Sequence, residues 1–255
     1  MMADSRGEPA GYGYSYADMA AGYSGALAAL IALWHRKRTG RGQFVDLSQF
    51  EALASLAGPA LLDIAVNGRT QEPPGWRSQE APAAPHGVYP CRPRGADDDR
   101  WIVIAVRTQA QWERFARALG NPGWTVDSKF RTLYLRMRNR EELDAHVSRW
   151  AATQDAEAAM ALLQGAEIAA GVALNGADLA IDPQLAARGF FAPVKLPDNS
   201  STRITGVPMR LSATPGSIRT VAPDVGEDND YILGELLGLG RAERAELIAE
   251  GVVWG

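Results

Sequence analysis

The feature that most limits how this chain can fold is a long run of small and apolar residues near its start, "ADMAAGYSGALAALIALWHRK", at residues 17–37. Asp18 is the one acidic residue in this run. Alanine and leucine recur along it, which predicts a helix, and the near-absence of charge predicts that this helix is buried on most sides. Gly22 and Gly25 would let another backbone approach the helix closely.

The segment that follows predicts how this helix ends and what comes next. In "RKRTGRGQ" the basic last turn suits the negative end of a helix dipole, and Gly40 and Gly42 stop the helix. "QFVDLS" alternates as a short strand does, and "SQFEALASLAGPALLDIAV" predicts a second helix, with Ser48 and Glu51 forming a capping box. Residues 67–90 are rich in proline and predict a long loop, a kind of segment that often carries function.

The remainder of the chain alternates strands with helices. "RWIVIAV" is the strongest predicted strand, and it leads into a helix over Gln109 to Leu119. Further helices are predicted at about 138–151, 155–164, 229–238 and 241–250 from their apolar spacing. This alternation predicts an α/β fold.

Composition excludes several classes of function. The net charge of −4 gives no bulk attraction to nucleic acid or to anionic lipid. One cysteine, Cys91, and three separated histidines disfavour a disulfide or a structural zinc site, and indicate a reducing cytoplasm. The apolar window from Ala20 to Leu33 is too short to cross a bilayer, so no membrane partner is expected.

Several motifs together carry a resemblance to a known family. In chain order they are "YADMAAGYSGALAALIALWHRKRTGRGQFVDLSQFEAL", "APHGVYPCR", "RWIVIAV", "DSKFRTLYLRMRNREEL", "DPQLAARGFF" and "APDVGEDNDYILGELLGL". These segments resemble the class III CoA-transferases, the family of formyl-CoA transferase and carnitine CoA-transferase. The resemblance covers nearly the whole chain, and its most specific parts are the TGRGQ-V-D-L-S segment and the D-P-Q-L-x-x-R-G-F element.

The resemblance implies an enzyme that moves CoA from an acyl-CoA to a carboxylic acid through covalent intermediates on an aspartate. It places that nucleophile at Asp18, and the small residues Ala17 and Gly22 would leave space for the pantetheine arm and the acyl group. Without the resemblance, an aspartate at this place is most simply a helix N-cap or a partner of the helix dipole. No cofactor beyond CoA as substrate, and no metal, is implied.

Other substrate contacts follow from the resemblance. His86, Gly87 and Tyr89 fall in the loop that would line the acyl pocket, although a histidine and a tyrosine that only pack the loop would look the same. Prolines stand where formyl-CoA transferase has a glycine run, which indicates an acyl group larger than formyl. Arg38 and Arg41 could bind CoA phosphates, or they could be a solvated charge cluster at the helix end.

The resemblance also implies a domain organisation and an assembly. Residues 1–66 would be the remainder of a large Rossmann-like domain, residues 67–185 a small α/β domain, and residues 186–255 a return segment to the large domain. The family forms interlocked dimers, and most of its nucleotide-binding half would precede Asp18. The chain is therefore expected to act as a homodimer or with a partner that supplies that half; a non-catalytic interaction subunit, a fragment and a degenerate relative are the alternatives.

Overall fold

The computed structural model describes residues 2–3, 9–10, 14–69, 82–96, 98–196 and 198–254. Within these ranges the chain divides into two compact units, Met1–Ala173 and Leu174–Gly255. The predicted three-part division at residues 66 and 185 stays a prediction. Helices and strands both occur throughout, which confirms the α/β class.

The helices and strands follow one another along the chain with these bounds. The first unit contains β1 (Met2–Ala3), β2 (Pro9–Ala10), α1 (Tyr16–Thr39), α2 (Gln49–Leu56), α3 (Gly58–Asn67), β3 (His86–Pro90), β4 (Trp101–Ala105), α4 (Gln109–Ala118), α5 (Leu133–Arg138), α6 (Arg140–Ala151), α7 (Ala156–Gly165) and β5 (Ala169–Val172). The second unit contains α8 (Gly176–Ala180), α9 (Pro183–Ala187), β6 (Phe191–Lys195), β7 (Ser201–Thr205), a π-helical segment (Asp230–Leu236) and α10 (Arg241–Ala249).

The core of the first unit forms on a three-stranded antiparallel sheet in the order β3, β4, β5. β4 is the predicted "RWIVIAV" strand, and its alternation holds: Ile102 and Ile104 are fully buried while Trp101 and Val103 face outward. Side chains from α4, α6 and α7, several of them aromatic, complete the core. The members of this core include Trp112, Phe115, Phe130, Leu143, Val147 and Leu163.

The second unit is built around a hairpin of β6 and β7. Before the hairpin, the "DPQL" element begins α9: the Asp182 carboxylate accepts a hydrogen bond from the Leu185 backbone N–H at 2.8 Å, and Pro183 occupies the first turn. Proline suits that position because the N–H group that it lacks would have no partner within the helix at the first turn. The aspartate and proline of this motif therefore have a structural role.

Helix α1 confirms the predicted helix but not its predicted burial. Gly40 ends it in the left-handed conformation, and its N–H donates to the Arg36 carbonyl, as the glycine signal predicts. However, no residue of α1 is buried, and Tyr23, Leu30 and Trp34 are 73%, 64% and 62% exposed. Within the described residues α1 packs on α2 and on the segment that leads to it, which cannot cover the whole helix.

The predicted second helix is in fact two helices. α2 ends at Leu56 and α3 begins at Gly58, with a bend of 66° between them. Pro59 lies in the first turn of α3 and has no N–H to donate to the preceding turn, so one straight helix cannot pass through it. Ser48 caps α2, because its hydroxyl accepts from the Glu51 N–H at 3.2 Å, which is one of the two bonds of the predicted capping box.

The strand predicted over "QFVDLS" is wrong, because residues 43–48 belong to no strand in the structure. This stretch is nevertheless extended and runs back along α1, where Leu47 lies against Gly25: a methyl group at Gly25 would come within 3.3 Å of Leu47 Cδ2. The returning segment is as long as the part of α1 that it follows. Fifteen helical residues from Gly25 to Gly40 rise about 22 Å, and seven extended residues from Gly40 to Leu47 span about 23 Å. Leu47 therefore packs on α1, whereas Phe44 of the same segment is 91% exposed.

Helix α1 is 24 residues long and has the length and apolar composition of a membrane-spanning helix. The bent pair of α2 and α3 passes the same test if the two are taken together. The expectation that the apolar run is too short to span a bilayer is therefore wrong with respect to length. Core helices of soluble proteins also reach this length and composition, so the predicted cytoplasmic location stays a prediction.

Candidate active site

Asp18 lies in the first turn of α1, and its side chain is exposed. The helix begins at Tyr16, and Ser15 occupies the N-cap position, so Asp18 is not the N-cap. A carboxylate in the first turn is stabilised by the helix dipole and by the free N–H groups there. Asp18 is therefore exposed and lies at the positive end of a long helix.

A hydrogen bond from a different helix holds the Asp18 carboxylate. The Gln49 side-chain amide, at the first residue of α2, donates from Nε2 to Oδ1 of Asp18. The sequence reasoning missed Gln49, because the two residues are 31 positions apart and meet only when residues 41–48 run back along α1. The cap at Ser48 indicated where α2 begins, but no local pattern indicated what its first residue would contact.

The predicted neighbours of Asp18 lie on the same turns of α1. Ala17 is half-buried and Gly22 is exposed. A Cβ added at Gly22 would meet nothing within 4 Å, so packing against the described residues does not require a glycine there. No described residue outside α1 therefore crowds the helix at Gly22, one turn beyond Asp18.

Arg38 and Arg41 lie at the other end of α1. Both are exposed, and Arg38 belongs to the basic last turn. Twenty helical residues separate Asp18 from Arg38, which corresponds to about 30 Å along the axis. A CoA molecule that reacted at Asp18 and bound Arg38 of the same chain would have to extend along the whole helix.

The predicted loop over residues 67–90 is partly wrong. Asn67 ends α3, and His86, Gly87 and Tyr89 form most of strand β3, which pairs with β4. The apolar residues of β4 draw this segment into the sheet despite its proline-rich approach. Pro73, Pro74 and Gly75 lie outside the described residues.

Tyr89 is a core residue in this structure. Its hydroxyl donates to Oδ1 of Asp144 on α6 at 2.7 Å. Burial first, and then the Asp144 carboxylate, raise the pKa of the Tyr89 hydroxyl well above its usual value. Its ring lies over Gly87, where an added Cβ would be 3.0 Å from the Tyr89 hydroxyl oxygen, so glycine is needed at that position for packing. Contact of either residue with an acyl group stays a prediction.

The thiol of Cys91 and the possible metal ligands are the other groups that could take part in chemistry. Cys91 is buried, and burial, followed by the carboxylates of Asp155 and Glu157, raises the pKa of its thiol, which makes it a poor nucleophile. In the part of the chain that the structure describes, no three histidine, cysteine or acidic side chains come together as a metal site would require. The absence of a metal from the chemistry stays a prediction.

A family model and two named relatives show which known proteins this chain is similar to. A model of CoA-transferase family III matches residues 1–229. The succinyl-CoA–D-citramalate CoA-transferase of Chloroflexus aurantiacus is 30% identical over 245 residues, covering 96% of this chain and 59% of that protein. The succinyl-CoA–L-malate CoA-transferase beta subunit of the same organism is 27% identical, covering 88% of this chain and 54% of that protein.

A solved structure shows the same fold. The crystal structure of a CaiB/BaiF family protein from Brucella suis superposes with a TM-score of 0.77 at 24% identity, over 92% of this chain and 58% of that one. The chain thus spans between half and two thirds of the length of these three proteins. The match to the family model extends over most of the sequence and includes the segments around Asp18 and Gln49. This chain therefore belongs to CoA-transferase family III.

Proposed function

We propose that this chain transfers CoA from an acyl-CoA to a carboxylic acid, with Asp18 as the covalent nucleophile. The observation that carries the proposal is the Asp18 carboxylate itself, which is exposed in the first turn of α1 and oriented by Gln49. Membership of the family supports the same reaction.

The reaction needs only carboxylates and thiols. The Asp18 carboxylate attacks the thioester carbonyl of the donor, giving a mixed anhydride and the CoA thiolate. The thiolate attacks the aspartyl carbonyl and expels the donor acid, so that CoA is held as a thioester on Asp18. The acceptor carboxylate attacks this thioester, and the released thiolate then attacks the acceptor carbonyl, which restores the Asp18 carboxylate.

We infer that the donor carries an acyl group larger than formyl. The proline-rich stretch before β3 differs from the glycine run of formyl-CoA transferases. The names of both Chloroflexus relatives contain succinyl-CoA, which makes it the first donor to test.

The helices around Asp18 favour a partner polypeptide. No residue of α1, α2 or α3 is buried, and many of their exposed side chains are large and apolar, among them Leu27, Leu30, Trp34, Phe50 and Leu62. An apolar surface of this extent marks a site of association. We propose that the covering chain is a second copy or a subunit that supplies the remaining part of the family's length.

The experiment is to trap the thioester on Asp18. The full chain, alone and with any partner polypeptide encoded beside it, is incubated with succinyl-CoA and then with hydroxylamine, which releases CoA and leaves an aspartyl hydroxamate. Peptide mass spectrometry is expected to find the hydroxamate at Asp18 and to find none in Asp18→Ala. Asp46→Ala is the matched control, since Asp46 is also exposed but lies on the segment between the helices.

The second candidate is a non-catalytic subunit that completes the fold of a partner through α1 to α3. The apolar exposed surface of these helices favours it as much as it favours an enzyme that needs a partner. The same experiment separates the two candidates. A complex that forms and exchanges CoA equally well with Asp18→Ala would support the interaction subunit and overturn the nucleophile.

A further inference from the structure

We propose that Gln49 is a further catalytic residue, which orients the Asp18 carboxylate and then donates a hydrogen bond to the oxyanion that forms on it. This inference deepens the proposed function and rests on Asp18 being the nucleophile. It assigns a role to a side chain that, within the described part of the chain, hydrogen-bonds the Asp18 carboxylate from another helix, with Gln49 Nε2 donating to Asp18 Oδ1.

The backbone around Gln49 is fixed from two sides, so the amide is presented from a defined place. Ser48 caps α2 through its bond to the Glu51 N–H, which sets where the helix begins. Leu47 packs against Gly25 of α1, with the 3.3 Å approach to an added Cβ described above. A Cβ at position 25 would require the Leu47 side chain to shift by a few tenths of an ångström. Gln49 is thus tied to the same helix that carries Asp18.

The hydrogen bond distinguishes the two oxygens of the Asp18 carboxylate. Oδ1 accepts from the Gln49 amide, which leaves Oδ2 as the oxygen that attacks the donor thioester. In the resulting anhydride, Oδ2 is bonded to the acyl carbon and Oδ1 is the aspartyl carbonyl oxygen. Orientation of a reacting group in this way lowers the entropy cost of the attack.

The same amide then faces the developing negative charge. When the CoA thiolate attacks the aspartyl carbonyl carbon, the electron pair of the C=O bond moves onto Oδ1. The C–S bond forms, and collapse of the intermediate breaks the bond to Oδ2, which leaves with the donor acid as a carboxylate. An N–H group already directed at Oδ1 stabilises that oxyanion without reorganisation. Attack by the acceptor on the thioester places charge on the same oxygen.

The test compares the rate of thioester formation on Asp18 in Gln49 variants of the full chain with its partner polypeptide. In Gln49→Ala, we expect the single-turnover rate with succinyl-CoA to fall about 100-fold, as for the loss of one oxyanion donor, while KM changes little. The matched control is Gln184→Ala, the same substitution at an exposed glutamine of α9 in the other unit. It is expected to react at the wild-type rate.

Gln49→Glu provides a readout that a merely structural role would not change. Two carboxyl groups in contact cannot both ionise readily, so one pKa of the pair rises. The rate of this variant is then expected to fall as pH increases through that raised pKa, over a range in which the wild type is flat. Thermal unfolding of all variants, followed by circular dichroism, checks that the fold is kept.

The outcomes separate this inference from the proposed function. If Gln49→Ala forms the Asp18 adduct as fast as the wild type, the role of Gln49 is overturned and the nucleophile stands. If the wild type forms no adduct at Asp18 in the reconstituted complex, the proposed function itself fails and the role of Gln49 fails with it. A slow Gln49→Ala with unchanged KM, together with the new pH dependence in Gln49→Glu, supports the inference.

Discussion

At the scale of single residues, Arg136 shows how one buried side chain can join several parts of the core. It is fully buried, and its guanidinium donates to the carbonyls of Ala84 and Phe130, each at 3.0 Å, and to Oε1 of Gln109 at 3.1 Å. Its charge also lies 4.6 Å from the centre of the Trp112 ring. Burial lowers the pKa of Arg136 to about 10.

Replacing Arg136 by lysine tests whether geometry, rather than charge, matters at this site. An ammonium group cannot make the forked set of bonds, so at least one buried acceptor loses its partner. We expect Arg136→Lys to lower the free energy of unfolding by about 2 kcal/mol, measured by urea unfolding followed through tryptophan fluorescence. Arg138→Lys, an exposed arginine on the same helix, should change it by less than about 0.5 kcal/mol. Equal effects of the two changes would contradict the bridging role.

Sequence reasoning did not find Arg136, and it did not find Gln49. In "LYLRMRNR" three arginines alternate with other residues, and no local pattern says which one is buried. Asp18 could be singled out because its surroundings match a motif of the family. The identity of its hydrogen-bond partner could not, since that depends on which residues α2 brings to the start of α1.

At the scale of helices and strands, local signals predicted the structure where the stabilising contacts are local. The cap at Ser48, the stop at Gly40 and the alternation in β4 all appear as predicted. The helix predicted over Gln109 to Leu119 is a further case, and the structure adds the cap that begins it: the Thr108 hydroxyl accepts from the Gln111 N–H at 3.1 Å, and the Gln111 side chain accepts from the Thr108 N–H at 3.2 Å. Each bond joins residues three positions apart, so the sequence contains all the information needed.

The Thr108 cap gives a prediction at this scale. Thr108→Ala leaves an N–H in the first turn of α4 without its partner, and we expect the free energy of unfolding to fall by about 1 kcal/mol. Thr108→Ser keeps the hydroxyl and should stay within about 0.5 kcal/mol of the wild type. Urea unfolding of the three proteins is the measurement. A loss in Thr108→Ser as large as that in Thr108→Ala would mean that the methyl group, rather than the cap, stabilises this helix.

At the scale of helices and strands, predictions failed where contacts with distant parts of the chain determine how a segment pairs. Residues 43–48 alternate like a strand, but they lie along α1 instead of pairing with another strand. Residues 86–90 follow a proline-rich stretch, yet they pair with β4, the central strand of the sheet. The sequence predicted an extended conformation for the first segment and a loop for the second, and in neither case did it indicate the partner that fixes the segment.

At the scale of the whole molecule, the apolar surface of α1 makes a prediction about association. Leu27 and Ile31 lie one turn apart on α1 and are 60% and 55% exposed. The double variant Leu27→Glu/Ile31→Glu is expected to associate less, with itself and with a partner polypeptide, because charge replaces apolar surface that the interface would bury. Sedimentation velocity measures the association of each protein.

Val126→Glu is the control for this double variant. Val126 is even more exposed, at 82%, and lies outside α1 to α3, so it should leave association unchanged. If both changes reduce association equally, net charge and not the face of α1 is responsible. If the double variant associates as the wild type does, the surface of α1 is not the interface.

The sequence by itself determined the α/β class, most helix positions, the cap at Ser48, the family and the position of Asp18 near the start of a helix, because these depend on periodicity, on bonds between near neighbours or on a linear motif. Only the tertiary structure decided that α1 is exposed, that residues 43–48 run back along it, and that Gln49 reaches the Asp18 carboxylate. These features depend on which distant segments meet. Packing between segments far apart in the chain sets that choice, and no single segment contains it.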